Sequence, residues 1–346
     1  MKNEIIFDYS TGPKIVAEIS ANHDGSLNQA LELVHAAAEA GAHGVKLQTF
    51  LPETMTLNSD QKDFVIRDEN NLWNGYKLFD LYQKAYTPWE WHEEIFELAK
   101  KLGIIGFSSA FDTTSVDFLE SISAPCYKVA SFESIDTSLI ARIAATHKPM
   151  IISTGMADLS EIALSVKVAL ENGCKNLTLL KCTSAYPAPN LEANLRAIPV
   201  MRETFQLPIG LSDHTLGIGA AVASVALGAV LIEKHIKISK VSNSLDAKFS
   251  VDPEKLRDLV VETQNAFECL GTGVIGPTVS EMGSRSRRRS LYFSKSVRSG
   301  DLVTKENIKS VRPGFGLEPK YLEQIIGMRI NRDVEMGTPL DWNFLK

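Results

Sequence analysis

Gly210-Leu-Ser-Asp-His-Thr215 and Ile232-Glu-Lys-His-Ile236 decide the reading of this chain. Each goes with a run that reads as a buried strand: Leu207-Pro-Ile-Gly-Leu211 before the first, Gly228-Ala-Val-Leu-Ile232 within the second. One helical crossover separates them, so His214 and His235 stand near the ends of consecutive strands. In a parallel sheet both imidazoles emerge on the same edge, as two ligands of one divalent metal should. Imidazole suits Zn, Mn or Fe, and two protein ligands leave positions open for water and substrate. Taken singly, a strand-end histidine is more often satisfied by hydrogen bonds than by a metal. The polar company here, Ser212, Asp213, Glu233 and Lys234, argues for a site.

Working outward, the same strand–helix unit recurs. Lys14-Ile-Val-Ala-Glu18 reads as a strand, and Ser26 caps the following helix, with Gln29 at its third position and Gly41 as its stop. Gly44-Val-Lys46-Leu-Gln48 is a second strand, followed by a polar and aromatic insertion from Pro52 to Tyr86. Thr87-Pro-Trp-Glu90 reads as a helix start, with Thr87 as cap, Pro88 at the first position and Glu90 closing a capping box. Ile104–Ser108, Cys126–Ala130, Pro149–Ser153 and Leu177–Lys181 are further strands. The helices between them start near Asp112, Asp136 and Asp158, and a last one begins at Asp252-Pro253 and stops at Gly271. Eight such units in about 270 residues predict a (β/α)8 TIM barrel rather than an open doubly wound sheet. No glycine-rich phosphate fingerprint follows the first strand, which also disfavours a dinucleotide fold.

Buried parallel strands should be apolar throughout, yet these end in Glu18, Lys46 and Gln48, Ser108, Lys128 and Ser131, Ser153, Lys181, His214 and His235. A catalytic mouth at the carboxyl ends of the strands accounts for the set. Structural pairing could account for Lys181 or Lys234 alone.

Composition bounds the rest. With 44% hydrophobic and 23% charged residues, the chain has the make-up of a soluble globular protein. No stretch is long and apolar enough to span a membrane, and Met1-Lys-Asn-Glu is not the start of a signal peptide. Lys+Arg 36 against Asp+Glu 42 leaves a net charge of −6, which argues against a general nucleic-acid binder. Cys126, Cys174, Cys182 and Cys269 lack metal-type spacing and read as reduced cytoplasmic thiols, with Cys182 a packed small residue. The pattern breaks between Gly271 and Arg289, where Gly276-Pro277 and the basic run Arg285-Ser-Arg-Arg-Arg289 read as a solvated linker. Short alternating strands follow from Ser290, with turns at Arg298–Gly300, Pro313–Gly316 and Met336–Pro339. They describe a β-rich module of roughly 60 residues, near the lower limit for folding alone.

Together these residues resemble the sialic-acid synthase family, the phosphoenolpyruvate-dependent nonulosonic acid synthases. The resemblance rests on Ala17-Glu-Ile-Ser-Ala-Asn-His-Asp-Gly25, Val45-Lys-Leu-Gln48, Tyr127-Lys-Val-Ala-Ser-Phe-Glu133, Gly210–Thr215 and Ile232–His235. The final module, with Arg312-Pro-Gly-Phe-Gly-Leu317, resembles the antifreeze-like (SAF) domain. One motif alone is unspecific; the set in this order and spacing is specific. It implies a barrel over residues 1–275, a linker over 276–289 and an SAF domain over 290–346. Leu72-Trp-Asn-Gly-Tyr-Lys-Leu-Phe-Asp-Leu-Tyr82 and Ala85-Tyr-Thr-Pro-Trp-Glu-Trp-His92 are similar to the pseudaminic acid synthases within that family. The sugar so implied is 2,4-diacetamido-2,4,6-trideoxy-L-altrose, whose methyl and acetamido groups ask for an apolar patch that the Trp-rich insertion, Trp89 and Trp91 included, would supply.

The resemblance also implies roles. Glu18, His214 and His235 are catalytic, the histidines holding a divalent metal such as Mn, Mg or Co, with no organic cofactor. Lys46, Lys128, Ser131, Ser153, Ser184 and Ser212 hold phosphoenolpyruvate, although Ser184 stands where sialic acid synthases commonly carry Asn. Gln48, Glu133, Tyr186, Asp246 and Arg312 hold the N-acylated aminosugar. Arg312 would reach the barrel of the partner in a homodimer that engages neither nucleic acid nor membrane.

Other classes make different demands. N-acetylneuraminate or legionaminate synthases of the same family differ in the sugar. A Schiff-base aldolase built on Lys128 would need no metal and would leave both histidines idle. A metal-dependent hydrolase normally wants a carboxylate ligand and more histidines, and the His-x-His pattern is missing. A non-catalytic sugar-binding protein would be free to lose Glu18 or a histidine.

Overall fold

A computed structural model describes residue 10 and residues 12–69, 71–238 and 244–346; the opening Met1–Glu4 stretch lies outside the described residues. Eight parallel strands close into a barrel in sequence order. They are β1 (Lys14–Glu18), β2 (Gly44–Thr49), β3 (Ile105–Ala110), β4 (Tyr127–Val129), β5 (Met150–Ser153), β6 (Leu177–Cys182), β7 (Ile209–Asp213) and β8 (Leu231–His235). β8 pairs back onto β1 with Glu18 beside His235, which closes the ring.

The helix starts follow the capping chemistry of the sequence. Ser26 accepts from Gln29 N–H, while Asp112, Asp136 and Asp252 each accept backbone donors of their own first turns. Asp158 and Glu161 form the reciprocal capping box. The helix start expected at Thr87 is a correction. Thr87 is buried with its Oγ1 3.2 Å from His23 Nε2, so the hydroxyl is unavailable as a cap. Trp89–Trp91 instead form a single 3₁₀ turn that leads into the helix His92–Lys101.

Alternation along each strand sorts the barrel interior from its outer face. Toward the amino ends of the strands, Val16, Phe107, Cys126, Ile151, Leu180 and Leu231 meet in one buried apolar cluster. Two residues further on, Glu18, Ser109, Lys128, Ser153, Cys182 and Glu233 replace them. The interior therefore changes from apolar to ionisable within one pleat. The outward residues pack on the helices in two larger apolar clusters. Ser108 and Lys181, expected at the mouth, belong to that outer set: Ser108 Oγ lies 2.6 Å from Thr49 Oγ1, and Lys181 Nζ donates to Thr183 Oγ1 at 2.6 Å.

The chain divides into two compact units between Gly271 and Thr272. In the second unit Val279–Arg287 form a 3₁₀ helix, and β9 (Ser290–Phe293) pairs antiparallel with β10 (Ile308–Val311). Leu291, Phe293, Val303, Ile308, Ile325 and Leu340 make its small core.

Gly210 shows how tightly the barrel is drawn. A Cβ there would collide with the Leu231 carbonyl oxygen and with Leu180. Gly210→Ala is expected to cost about 2 kcal/mol, read as a lower urea midpoint at unchanged m-value. An unchanged midpoint would mean that β7 and β8 can part without cost.

Candidate active site

The carboxyl ends of the strands surround a cavity of about 580 Å³. Its floor is ionic. Glu233 stands between two ammonium groups, 3.4 Å from Lys128 Nζ and 3.8 Å from Lys46 Nζ. Lys46 also pairs with Glu18 and donates to Ser109 Oγ at 2.9 Å. Burial opposes ionisation of Glu233, but Lys128 and Lys46 outweigh it and hold the carboxyl at about 2. Burial likewise opposes charge on Lys46, yet Glu18 and Glu233 raise its pKa. Lys128 moves the other way: burial and the like charge of Lys46 lower it despite Glu233.

His214 and His235 face each other above this floor, ring centroids 5.4 Å apart. His214 lies just past β7 and His235 is the last residue of β8, which are neighbouring strands. His214 Nδ1 lies 3.0 Å from the Thr183 carbonyl, and His235 Nδ1 lies 3.5 Å from Asp246 Oδ2. Phe249 sits edge-on to both rings. The Thr183 carbonyl thus engages His214 Nδ1, while the Asp246 carboxylate stands beside His235 Nδ1 at ion-pair rather than hydrogen-bond distance. Among the described residues no third His, Cys, Asp or Glu joins them in a ligand cluster. Two imidazoles on neighbouring strands are the residues here that could hold a divalent ion, leaving its other positions open.

Asp246 is carried by the segment after β8, which Asn22 ties down. Asn22 Nδ2 donates to the Ile236 carbonyl at 2.7 Å and to Ser250 Oγ at 2.8 Å, and Ser250 donates to the Asp246 carbonyl at 2.6 Å. Burial alone would raise the Asp246 carboxyl, but its contacts with His235 carry it below the ordinary value.

Most residues proposed from the sequence meet in this cavity: Lys46, Gln48, Lys128, Ser131, Glu133, Ser153, Tyr186, Ser212, His214, His235 and Asp246 all line it. Glu18 does not; it is fully buried behind Lys46 and Gln48, whose amide donates to it at 3.4 Å. Ser184 is also outside the lining, pressed with Ser131 against Gly155, where a Cβ would strike both hydroxyls. Arg312 is exposed in the turn after β10, within the second unit.

Glu233 and Ser109 went unassigned in the sequence. Glu233 shares the inward parity of Leu231 and His235 on β8, which no local pattern marks in a strand covered on both faces. Cys182, read as a packed small residue, lines the cavity with its Sγ 3.8 Å from His214 Nδ1.

The apolar wall corrects the reading of Trp89 and Trp91. Trp89 stacks on Phe118 at 4.6 Å and Trp91 meets the edge of His23, both away from the cavity. The aromatic wall comes instead from Trp73, Tyr82, Phe50 and Phe111. Trp73 Nε1 donates to the Leu245 carbonyl at 3.3 Å, and its ring lies 5.7 Å from Tyr186. The insertion is thereby held to the segment that carries Asp246.

Residues 33–275 match the NeuB family, and residues 288–346 match the SAF domain. The chain belongs to the NeuB family. Among family relatives, a Campylobacter jejuni protein named pseudaminic acid synthase is 42% identical over 337 residues, covering 97% of this chain and 98% of that protein. A Legionella pneumophila relative named N,N'-diacetyllegionaminic acid synthase is 36% identical over 96% of this chain and 94% of its own length. In structure, an N-acetylneuraminic acid (sialic acid) synthetase from Leptospira borgpetersenii, solved with citrate, superposes with a TM-score of 0.72 at 30% identity, over 82% of this chain and 93% of that one.

Glu133 gives the site a measurable pH signature. Burial raises its carboxyl from 4.5 to about 7, and its Oε2 has no hydrogen-bond partner among the described residues. The folded state thus binds this proton more tightly than the unfolded chain, so its contribution to stability falls as pH rises from 4.5 to about 7. Glu133→Gln is expected to be more stable than the wild type by roughly 1–2 kcal/mol at about pH 8 and to lose that advantage near the carboxylate range. Urea titrations at both pH values check this, and an equal gain at both would rule out the burial of charge as the cause.

Proposed function

We propose that the chain condenses phosphoenolpyruvate with 2,4-diacetamido-2,4,6-trideoxy-L-altrose, giving pseudaminic acid and phosphate. One observation carries the reading: a cationic, hydroxyl-rich floor and an aromatic wall share one cavity. A three-carbon phosphate carboxylate matches the first, and a 6-deoxy sugar with two acetamido groups matches the second. The named Campylobacter relative supports the choice of sugar over the legionaminic alternative, at 42% against 36% identity.

In this reading Lys46 and Lys128 hold the phosphate and carboxylate, with Ser131, Ser153 and Ser212 donating hydrogen bonds and Ser184 supporting Ser131. Ser153 Oγ, buried and without a hydrogen-bond partner among the described residues, is well suited to that work. C3 of phosphoenolpyruvate adds to the open-chain aldehyde, positive character develops at C2, and water adds there before the C–O bond to phosphate breaks. Glu18, paired with Lys46, supplies negative charge beside the floor for that centre. A divalent ion such as Mn, Mg or Co, held by His214 and His235, would supply Lewis-acid polarisation of the aldehyde. Gln48, Glu133, Tyr186 and Asp246 orient the sugar. The reaction belongs in the cytoplasm, where phosphoenolpyruvate is made and thiols stay reduced. Among the described residues no helix is long and apolar enough to cross a membrane.

Phosphate release from phosphoenolpyruvate is the assay. Turnover is expected with the 6-deoxy diacetamido sugar and to be at least tenfold poorer with N-acetylmannosamine, which leaves part of the wall unfilled. Trp73→Ala should narrow that ratio, chiefly by raising KM for the larger sugar. Equal rates with both sugars in the wild type would overturn the assignment. Chelation, or His235→Ala, should abolish release, with Mn(II) restoring only the chelated wild type.

The same reading makes the enzyme a homodimer in which Arg312 of one copy serves the cavity of the other. Lys46→Ala and Arg312→Ala proteins, each nearly inactive, should regain activity when mixed under conditions of subunit exchange. Absence of rescue would place Arg312 outside a shared site.

A further inference from the structure

Two buried cations face away from the cavity and take no part in the chemistry above. Lys234 is fully buried on the outer side of β8, where its Nζ lies 2.8 Å from Asp213 Oδ2 and donates to the Thr215 carbonyl. Asp213 Oδ1 accepts from Thr215 N–H at 2.9 Å and from Thr215 Oγ1 at 2.7 Å. On the next strand, Lys181 donates to Thr183 Oγ1, and the Thr183 carbonyl faces His214 Nδ1 at 3.0 Å.

The register gives these contacts their meaning. Ser212 stands opposite Glu233, and Asp213 opposite Lys234. The next residue on each strand is His214 and His235. Ser212 donates to Glu233 at 3.3 Å on the inner face, and the ion pair joins the strands on the outer face. The last cross-strand side-chain link before the two imidazoles is therefore the Asp213–Lys234 pair. Asp213 also fixes Thr215, on the far side of His214 in sequence. A fully desolvated ion pair is a poor way to add stability, since apolar residues of similar volume commonly do as well or better. Its geometric use is different: charge and hydrogen bonding hold both strand ends at one separation.

We propose that Asp213 and Lys234 are positioning residues that set the separation of His214 and His235 and thereby the affinity of that pair for a divalent cation. The pair touches neither substrate nor ion; it acts through the backbone of the strands that carry the imidazoles. The proposal rests on the reading of the two histidines as metal ligands. Outer residues that orient ligands commonly change metal affinity tenfold to a hundredfold when removed.

The test is Mn(II) alone, titrated into the metal-stripped full-length protein and followed by the electron paramagnetic resonance of free Mn(II), with urea unfolding in parallel. Asp213→Leu combined with Lys234→Met replaces the ion pair by apolar volume and avoids a stranded charge. It is expected to keep the urea midpoint near that of the wild type and to bind Mn(II) at least tenfold more weakly. Wild-type affinity in a folded double variant would overturn the proposal. If that variant does not fold, Asp213→Asn serves, since its Oδ1 still accepts from Thr215 while its amide nitrogen, facing Lys234 Nζ, breaks the ion pair. A loss of at least threefold is expected there, and none would overturn the proposal equally. His214→Ala and His235→Ala separate the two levels. If they bind Mn(II) as the wild type does, or the wild type binds none, the metal reading fails and the proposal with it. If they lose Mn(II) while the ion-pair variants keep it, the proposal alone fails.

Discussion

Glu18, Lys46, Glu233 and Lys128 form a continuous chain of opposite charges inside the barrel, and the rest of the site depends on it. Each of the four is at most 5% exposed and lies beside an oppositely charged neighbour. Removing one member strands its neighbour, which costs far more than the same change at a surface. The chain holds two cations and two anions, so it is close to neutral by itself. Two ammonium groups are nevertheless kept at the base of the cavity.

That floor is available only because the barrel changes character within one pleat. Below it, Val16, Phe107, Cys126, Ile151, Leu180 and Leu231 exclude water and provide the apolar burial that a closed sheet needs. Above it, the loops are polar or aromatic according to which strand they leave. The insertion after β2 contributes Trp73 and Tyr82 to the mouth, and the segment after β8 contributes Asp246 and Phe249. The Trp73–Leu245 hydrogen bond joins the two. Charged groups and apolar groups thus occupy different layers of the same mouth. A fold that hosts many chemistries by varying its loops is suited to such a division.

The outer face of the barrel carries a second set of polar contacts that never sees substrate. Asp213, Lys234, Lys181 and the two threonines at 183 and 215 brace the strand ends from behind. Thr49, Ser108 and His92 form another such group. The histidines and lysines of the cavity are therefore fixed from both faces of the sheet. Side chains on rigid strands with satisfied neighbours hold their geometry better than side chains on loops.

The sequence by itself determined the alternation of strand and helix, the caps at Ser26, Asp112, Asp136, Asp158 and Asp252, and the presence of ionisable residues at strand ends. These are local properties, set by periodicity and by hydrogen bonds reaching three or four residues. It also carried most of the site, because strand ends in a parallel barrel converge wherever the loops lead. The tertiary structure alone decided which parity of each strand faces inward: Glu233 over Lys234, Ser109 over Ser108. A buried parallel strand is covered on both faces, so both parities are permitted to be apolar and neither is marked in advance. It likewise decided that Trp73 and not Trp89 or Trp91 meets the cavity, and that Thr87 answers to His23 instead of capping a helix. Those outcomes depend on partners more than sixty residues away in one case and on the path of a long insertion in the other, and local pattern records neither.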